Sequence, residues 1–241
     1  MPLPKINTPT YELVLPSNNK KIKYRPFLVR EEKILIMALE TEDTKQITQA
    51  VIDILSSCII TKGVSLEKLA TFDIEYLFLN VRSKSVGEQV EINVTCPDDG
   101  KTSVPVKVDI DSIKVSKQKD HKNVVKLDDS LSLKLKYPSM QQFIVNNFES
   151  AEEEGNEINT TLDMIISCID TIFSEEESWP ASESTKKELQ DFIDQLNTKQ
   201  FKLIEDFFAT MPKLSHTFKV KNPKTGVEST IKLEGLASFF N

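Results

Sequence analysis

The residues that could do acid–base or nucleophilic chemistry are few and scattered. The chain has two histidines, His121 and His216, which lie far apart along the sequence. His121 falls in a lysine-rich stretch, where we expect a solvated surface residue. His216 begins a predicted strand, where we expect a structural role, because neither histidine has a catalytic partner in its neighbourhood. This pattern predicts no catalytic residue.

The three cysteines do not form a catalytic or metal-binding pattern. Cys58 and Cys168 lie at equivalent positions of two similar apolar segments, which favours small buried side chains over a nucleophile. The odd number favours reduced thiols, with a Cys58–Cys168 disulfide as the alternative. Cys96 precedes a turn, as a zinc-knuckle ligand would, but the residue three positions later is Asp99. We therefore predict no metal and no cofactor.

Pairs of adjacent acids are the remaining candidates for catalysis. Adjacent side chains on a helix or strand diverge, and exposed acids are common in proteins. We therefore expect such pairs to be surface residues, for example Glu31-Glu32, Asp98-Asp99 and Asp128-Asp129.

Composition narrows the class of protein further. With 39% hydrophobic and 28% charged residues, the chain is typical of a globular protein. A net charge of -7 argues against a nucleic-acid or anionic-membrane partner. Six glycines provide no phosphate-binding loop, and no apolar run is long enough to span a bilayer. We predict no small-molecule substrate, and a protein that stays in the compartment where it is made.

The elements that would position any site alternate between strands and helices. Turn residues and alternating side chains predict hairpins near residues 11–24, 90–110 and the end of the chain, and a further strand within 127–137. Apolar stripes predict helices at 30–40, 44–58, 141–148, 161–173, 184–196 and 199–210, and two short helices within 66–81. In the first helix the stripe is Ile34, Leu35, Met37 and Ala38. The predicted fold class is α+β.

The order of these elements repeats, and so do short sequences within them. The segment DILSSCI at residues 53–59 returns as DMIISCI at 163–169, and INVTCPDDGK at 92–101 is echoed by FKVKNPKTGV at 218–227. Internal self-similarity of this kind predicts two related lobes. We expect an N-terminal lobe at 1–137 (hairpin, helices, hairpin) and a C-terminal lobe at 138–241 (helices, hairpin, apolar tail).

Several stretches of the chain resemble a known family. They are RPFLVREEKIL at 25–35, FDIEYLFL at 72–79, RSKSVGE at 82–88, FFATMPKL at 207–214 and LEGLASFF at 233–240. In this order, over nearly the whole chain, they are similar to the baseplate hub proteins of T-even-type contractile-tailed phages, of the gene product twenty-six type. Some members of that family carry cysteine pairs at both hairpin tips, whereas this sequence has only Cys96 there.

The resemblance implies a non-enzymatic role in building the baseplate hub. The protein would dock to other hub and tail proteins, as a subunit of the virion baseplate or as an assembly factor in the host cytoplasm. Candidate partner-binding residues are Arg25, Phe27, Arg82, Lys84, Glu88, Phe239 and Phe240. Arg25, Arg82 and Lys84 could instead pair with nearby acids and hold the first lobe together. The alternative function is a tail-associated cell-wall hydrolase with two carboxylates across a cleft.

Overall fold

The computed structural model describes residues 6–140 and 157–235. Six helices are present in these residues: α1 (Val29–Glu40), α2 (Thr44–Cys58), α3 (Thr71–Val86), α4 (Glu157–Ser167), α5 (Lys186–Asp194) and α6 (Thr198–Thr210). Three-residue 3₁₀ turns lie at Leu66–Lys68, Ile110–Ser112 and Ala181–Glu183.

Eleven strands accompany the helices in the described residues. They are β1 (Tyr11–Val14), β2 (Lys21–Tyr24), β3 (Gln89–Thr95), β4 (Ser103–Asp109), β5 (Lys114–Ser116), β6 (Val124–Lys126), β7 (Ser132–Leu135), β8 (Ile169–Phe173), β9 (Ser178–Pro180), β10 (Lys213–Lys221) and β11 (Glu228–Glu234). They form small antiparallel sheets in the orders β1-β2, β3-β4, β11-β10-β5 and β6-β7-β8-β9. The predicted α+β class is confirmed.

The chain divides into two compact units that interleave along the sequence. The first contains the chain up to Leu66, Phe72–Ser116 and the part from Lys213 onwards, and the second contains Glu67–Thr71 and Lys117–Pro212. The last hairpin belongs to the first unit because β10 pairs with β5. The predicted lobes at 1–137 and 138–241 are drawn from sequence repeats, whereas the two compact units are defined by contacts in space. The division into these lobes therefore stays a prediction.

Each unit has its own hydrophobic core, formed by the inward-facing side chains of its strands and helices. In the first unit, inward residues of β3 and β4 such as Val90, Ile92 and Val108 pack with Leu79 of α3 and Leu214 of β10. In the second, side chains from strands and helices share one cluster, whose fully buried members include Leu133, Ile169 and Ile204. Alternation in strands and apolar stripes in helices produce these cores, as the sequence predicts.

The predicted helix at 161–173 is only half helical. α4 ends at Ser167, and β8 pairs antiparallel with β7 from Ile169 onwards. The strand contains the β-branched residues Ile169, Thr171 and Ile172, which fit a pleated surface better than a helix. The following segment, residues 174–180, contributes β9 at the next position of this sheet.

The two halves nevertheless share a local arrangement. The N–H of Arg25, just after β2, donates to the carbonyl of Cys58, and the N–H of Lys136, just after β7, donates to that of Cys168. In both cases the next residue, Ile59 or Ile169, pairs with the last residue of the hairpin strand. This agreement favours the predicted duplication, which stays a prediction.

Candidate partner-binding surface

The thiol groups are in positions that suit packing rather than catalysis. Cys58, Cys96 and Cys168 are all buried free thiols. Burial raises the pKa of Cys58 and of Cys168 to about 11, so both stay protonated at neutral pH. Across the described residues, no group of three or more histidines, cysteines and acids could hold a metal ion.

The prediction that His121 is a solvated surface residue is wrong. His121 is 8% exposed, stacks against Tyr137, and contacts the ring of Phe207. Its Nδ1 lies 3.0 Å from the Thr210 hydroxyl, and its Nε2 lies 3.1 Å from the Tyr137 hydroxyl. The Thr210 hydroxyl donates to the Asp206 carbonyl, so it can accept from Nδ1, while Tyr137 donates to Nε2. A neutral imidazole therefore satisfies both nitrogens inside an aromatic cluster.

The expectation that all acid pairs are surface residues is wrong for Glu31. Its carboxylate is 2% exposed and accepts from Arg25 at 2.9 Å, from the Nε of Arg30 at 2.7 Å and from the N–H of Leu28 at 2.7 Å. Burial alone would raise the pKa of Glu31, but these hydrogen bonds outweigh it and lower the pKa to about 2. Glu31 thereby fixes the first turn of α1 to the chain that follows β2.

The predicted partner-binding residues divide into buried and exposed groups. Arg25 is mostly buried in its ion pair with Glu31, and Phe27 is buried, with its N–H donating to Ser85 of α3. Burial lowers the pKa of the half-buried Arg82. Near the end of α3, Lys84 pairs with the exposed Glu88 at 2.7 Å. Arg25 and Lys84 thus take the intramolecular role that the sequence left open, while Phe239 and Phe240 lie outside the described residues.

An exposed apolar surface lies on α1, where the sequence predicts a single inward stripe. Ala38 is buried as predicted, but Met37 is 67% exposed and Ile34 is also exposed. At 100° per residue, Val29 and Ile36 lie opposite Glu31 and Ala38, with Met37 and Leu39 on the two flanks. Four exposed apolar residues on this side of the helix are called the outer face of α1: Val29, Ile36, Met37 and Leu39.

A sequence signal for this surface does exist. α1 carries apolar residues on all sides, whereas a helix at the surface of a globular protein needs only one apolar side. Since Glu31 and Ala38 occupy the buried side, apolar residues on the opposite side of the helix face outwards. Contiguous exposed apolar side chains of this kind mark interaction sites more often than ordinary surface.

The tips of two hairpins are joined by a hydrogen-bonded clamp. Asn222, which is 1% exposed, donates through Nδ2 to both carboxylate oxygens of Asp98 at 3.0 Å, and the Thr225 hydroxyl donates to Asp98 at 2.5 Å. These bonds, that from Thr225 first, lower the pKa of Asp98. Gly100 and Gly226, both at positive φ, make the same backbone bond to Cys96 and Asn222 respectively. Hydrogen bonds between polar side chains therefore hold the two hairpin tips together.

Comparison with known protein families indicates the kind of protein to which these surfaces belong. The sequence model of the family described as T4 bacteriophage base plate protein matches residues 8–241. The chain belongs to this family. A search of curated proteins and a search of solved structures each gave no match.

Membership of the base plate family indicates a structural or assembly role in a phage tail, and contact with other baseplate or tail proteins. Proteins of this family are typically not enzymes. No helix in the described ranges has the length and apolarity needed to cross a membrane. For a base plate protein, exposed apolar side chains are therefore candidates for contact with neighbouring subunits.

Proposed function

We propose that this protein acts in assembly of the baseplate hub of a contractile-tailed phage by docking to other hub proteins. It acts either as a subunit that stays in the particle or as an assembly factor that leaves. The observation that carries the proposal is the family match over residues 8–241. The sequence stretches that resemble the hub proteins support the finer assignment to the hub.

The chemistry of the described residues supports docking rather than catalysis. The thiols are buried, His121 is enclosed among aromatic rings, and the Asp98 and Glu31 carboxylates already accept several hydrogen bonds each. The outer face of α1, by contrast, leaves large apolar side chains in water. Burying such side chains against another protein is favourable, at roughly 25 cal/mol per Å² of apolar area.

The predicted partner residues near the end of α3 are part of the proposal. Lys84 and Glu88 form an exposed ion pair, which contributes little to stability and can exchange partners on binding. Charged groups of this kind set the orientation and rate of docking more than its strength. Arg25, Phe27 and Arg82 would act indirectly, by holding the start of α1 and the end of α3 in place.

A deletion and complementation experiment tests the proposed function. We expect a phage that lacks this gene to accumulate incomplete baseplates and few tails by electron microscopy, and expression of the wild-type protein to restore both. Normal tails without the protein would overturn the proposal. Quantitative mass spectrometry of purified virions and of the infected-cell lysate then distinguishes a subunit from an assembly factor. A fixed ratio to other hub proteins in the particle indicates a subunit, and presence in the lysate alone indicates an assembly factor.

The hydrolase alternative needs a separate assay. Zymography of the purified protein on bacterial cell wall should show no clearing, with a lysozyme lane as the positive control. A cleared band at the position of the protein would replace docking by enzymatic activity as the leading function.

A further inference from the structure

The outer face of α1 carries an arrangement of charges that matches itself. Lys33 and Glu40 are both exposed, lie seven residues apart, and fall within the same side of the helix as Val29, Ile36 and Met37. Within the described residues neither Lys33 nor Glu40 makes an ion pair. Along the helix the order is basic, apolar, apolar, acidic, with Ile36 and Met37 at the centre.

This order of charges and apolar residues is complementary to the same order read in the opposite direction. If a second copy of α1 is laid antiparallel on the first, with a two-fold axis between Ile36 and Met37, then Ile36 of each copy meets Met37 of the other. Lys33 of each copy then lies at the level of Glu40 of the other, so two equivalent ion pairs form at the ends of the apolar contact. A two-fold interface requires this kind of self-complementarity.

The helix dipole favours the same orientation. Glu40 lies in the last turn of α1, which contains no basic residue, so its charge is next to the negative end of the helix. In the antiparallel arrangement a lysine from the second copy approaches that end. The N-terminus of each helix also lies towards the C-terminus of the other, which is the favourable alignment of two dipoles.

From these observations we propose that the outer face of α1 binds a second copy of this chain, in an antiparallel pair of α1 helices with two reciprocal Lys33–Glu40 ion pairs. The proposal concerns the same surface that supports docking in the proposed function and assigns it to a second copy of the chain, and its tests hold or fail whether or not the protein acts in the hub. A contact of about one helix face per chain lies at the small end of specific interfaces, so the dimer is weak and depends on protein concentration.

Cysteine cross-linking locates the contact. The native cysteines are buried, so a cysteine introduced at an exposed position is the reactive thiol. Met37 lies beside the two-fold axis, and we expect Met37→Cys to form a disulfide-linked dimer under mild oxidation. The matched control is Leu203→Cys, at an exposed leucine of α6 that is 40% accessible, and it should remain monomeric. Equal cross-linking of the two variants would overturn the proposal.

Charge reversal tests the pairing itself, by sedimentation equilibrium of the full chain. Lys33→Glu and Glu40→Lys should each weaken dimerisation by about tenfold, because each replaces two attractions by two repulsions. The double variant should recover dimerisation to within about threefold of the wild type, since it restores both pairs in reverse. Thermal melts should show no loss of stability in any of the three variants, because both residues are exposed. A wild-type protein that stays monomeric at several hundred micromolar, or a double variant that does not recover, would refute the antiparallel pair.

Discussion

The most informative perturbation is the replacement of Glu31 by glutamine. Glutamine has nearly the same size and shape as glutamate but carries no charge. Arg25, whose side chain is 16% exposed, would then stay buried without its carboxylate partner. Removing one partner of a buried ion pair typically costs about 3–5 kcal/mol, because the remaining charge is left without compensation.

The pKa of Glu31 gives an independent magnitude for the same cost. A fall from the ordinary value of 4.5 to about 2 corresponds to about 3 kcal/mol of preference for the ionised form in the folded protein. The folded pKa lies below the unfolded one, so this stabilisation is complete above about pH 4.5 and is lost as the pH falls towards 2. Both the loss of the ion-pair partner and the pKa shift therefore give a cost of about 3 kcal/mol.

Urea unfolding of the wild type, Glu31→Gln and Glu32→Gln at several pH values checks this reasoning. We expect Glu31→Gln to lower the free energy of unfolding by about 3 kcal/mol at pH 7, and the difference to shrink as the pH approaches 2. Glu32→Gln, at the adjacent partly exposed position, should change it by less than about 0.5 kcal/mol. A Glu31→Gln difference that is small at pH 7, or that does not depend on pH, would show that the buried ion pair does not hold α1.

Three further predictions concern the hairpin clamp, the buried histidine and the thiols. Asn222→Ala should lower the free energy of unfolding by about 1–3 kcal/mol, because a buried hydrogen-bonded amide is lost, while the exposed Lys224→Ala should not; an equal effect of both in urea unfolding would contradict the clamp. Burial and the charge of Lys117 lower the pKa of His121, so wild-type stability should fall as the pH drops below about 6.5. This loss of stability should be absent in His121→Phe and present in His216→Phe. A His121→Phe variant that loses stability as the wild type does would contradict its assignment to His121. In titration with a thiol reagent, no cysteine should react in the native protein and three should react in denaturant; rapid native labelling would refute their burial.

The sequence predicts elements well where local signals are sufficient. The hairpin of β3 and β4 follows from strict alternation and a Pro-Asp-Asp-Gly turn, and the structure pairs Val90 with Val108 and Val94 with Val104. α6 begins one residue before its predicted start, since Asn197 caps it by accepting from the N–H groups of Lys199 and Gln200. In each case the residues that decide the structure are close together in the chain.

Prediction fails where the deciding contact is distant in sequence. β8 becomes a strand because β7, more than thirty residues earlier, offers an edge to Ile169–Phe173. His121 is enclosed because Tyr137 and Phe207 come together around it. The outer face of α1 is missed for a different reason: the contact is local, but the charged residue Glu31 takes the buried side with Arg25. Composition and period cannot foresee which side is covered in a helix that carries apolar residues all round.

The most direct test of the docking account is to follow the protein through tail assembly. An affinity-tagged copy would be purified from infected cells during assembly, and the co-purified proteins quantified after separation of baseplate intermediates on a density gradient. If the protein docks to baseplate components, other baseplate proteins should co-purify in fixed ratios and the tagged protein should sediment with at least one intermediate. A tagged protein that complements the deletion, yet sediments apart from every intermediate and captures no baseplate protein, would contradict it.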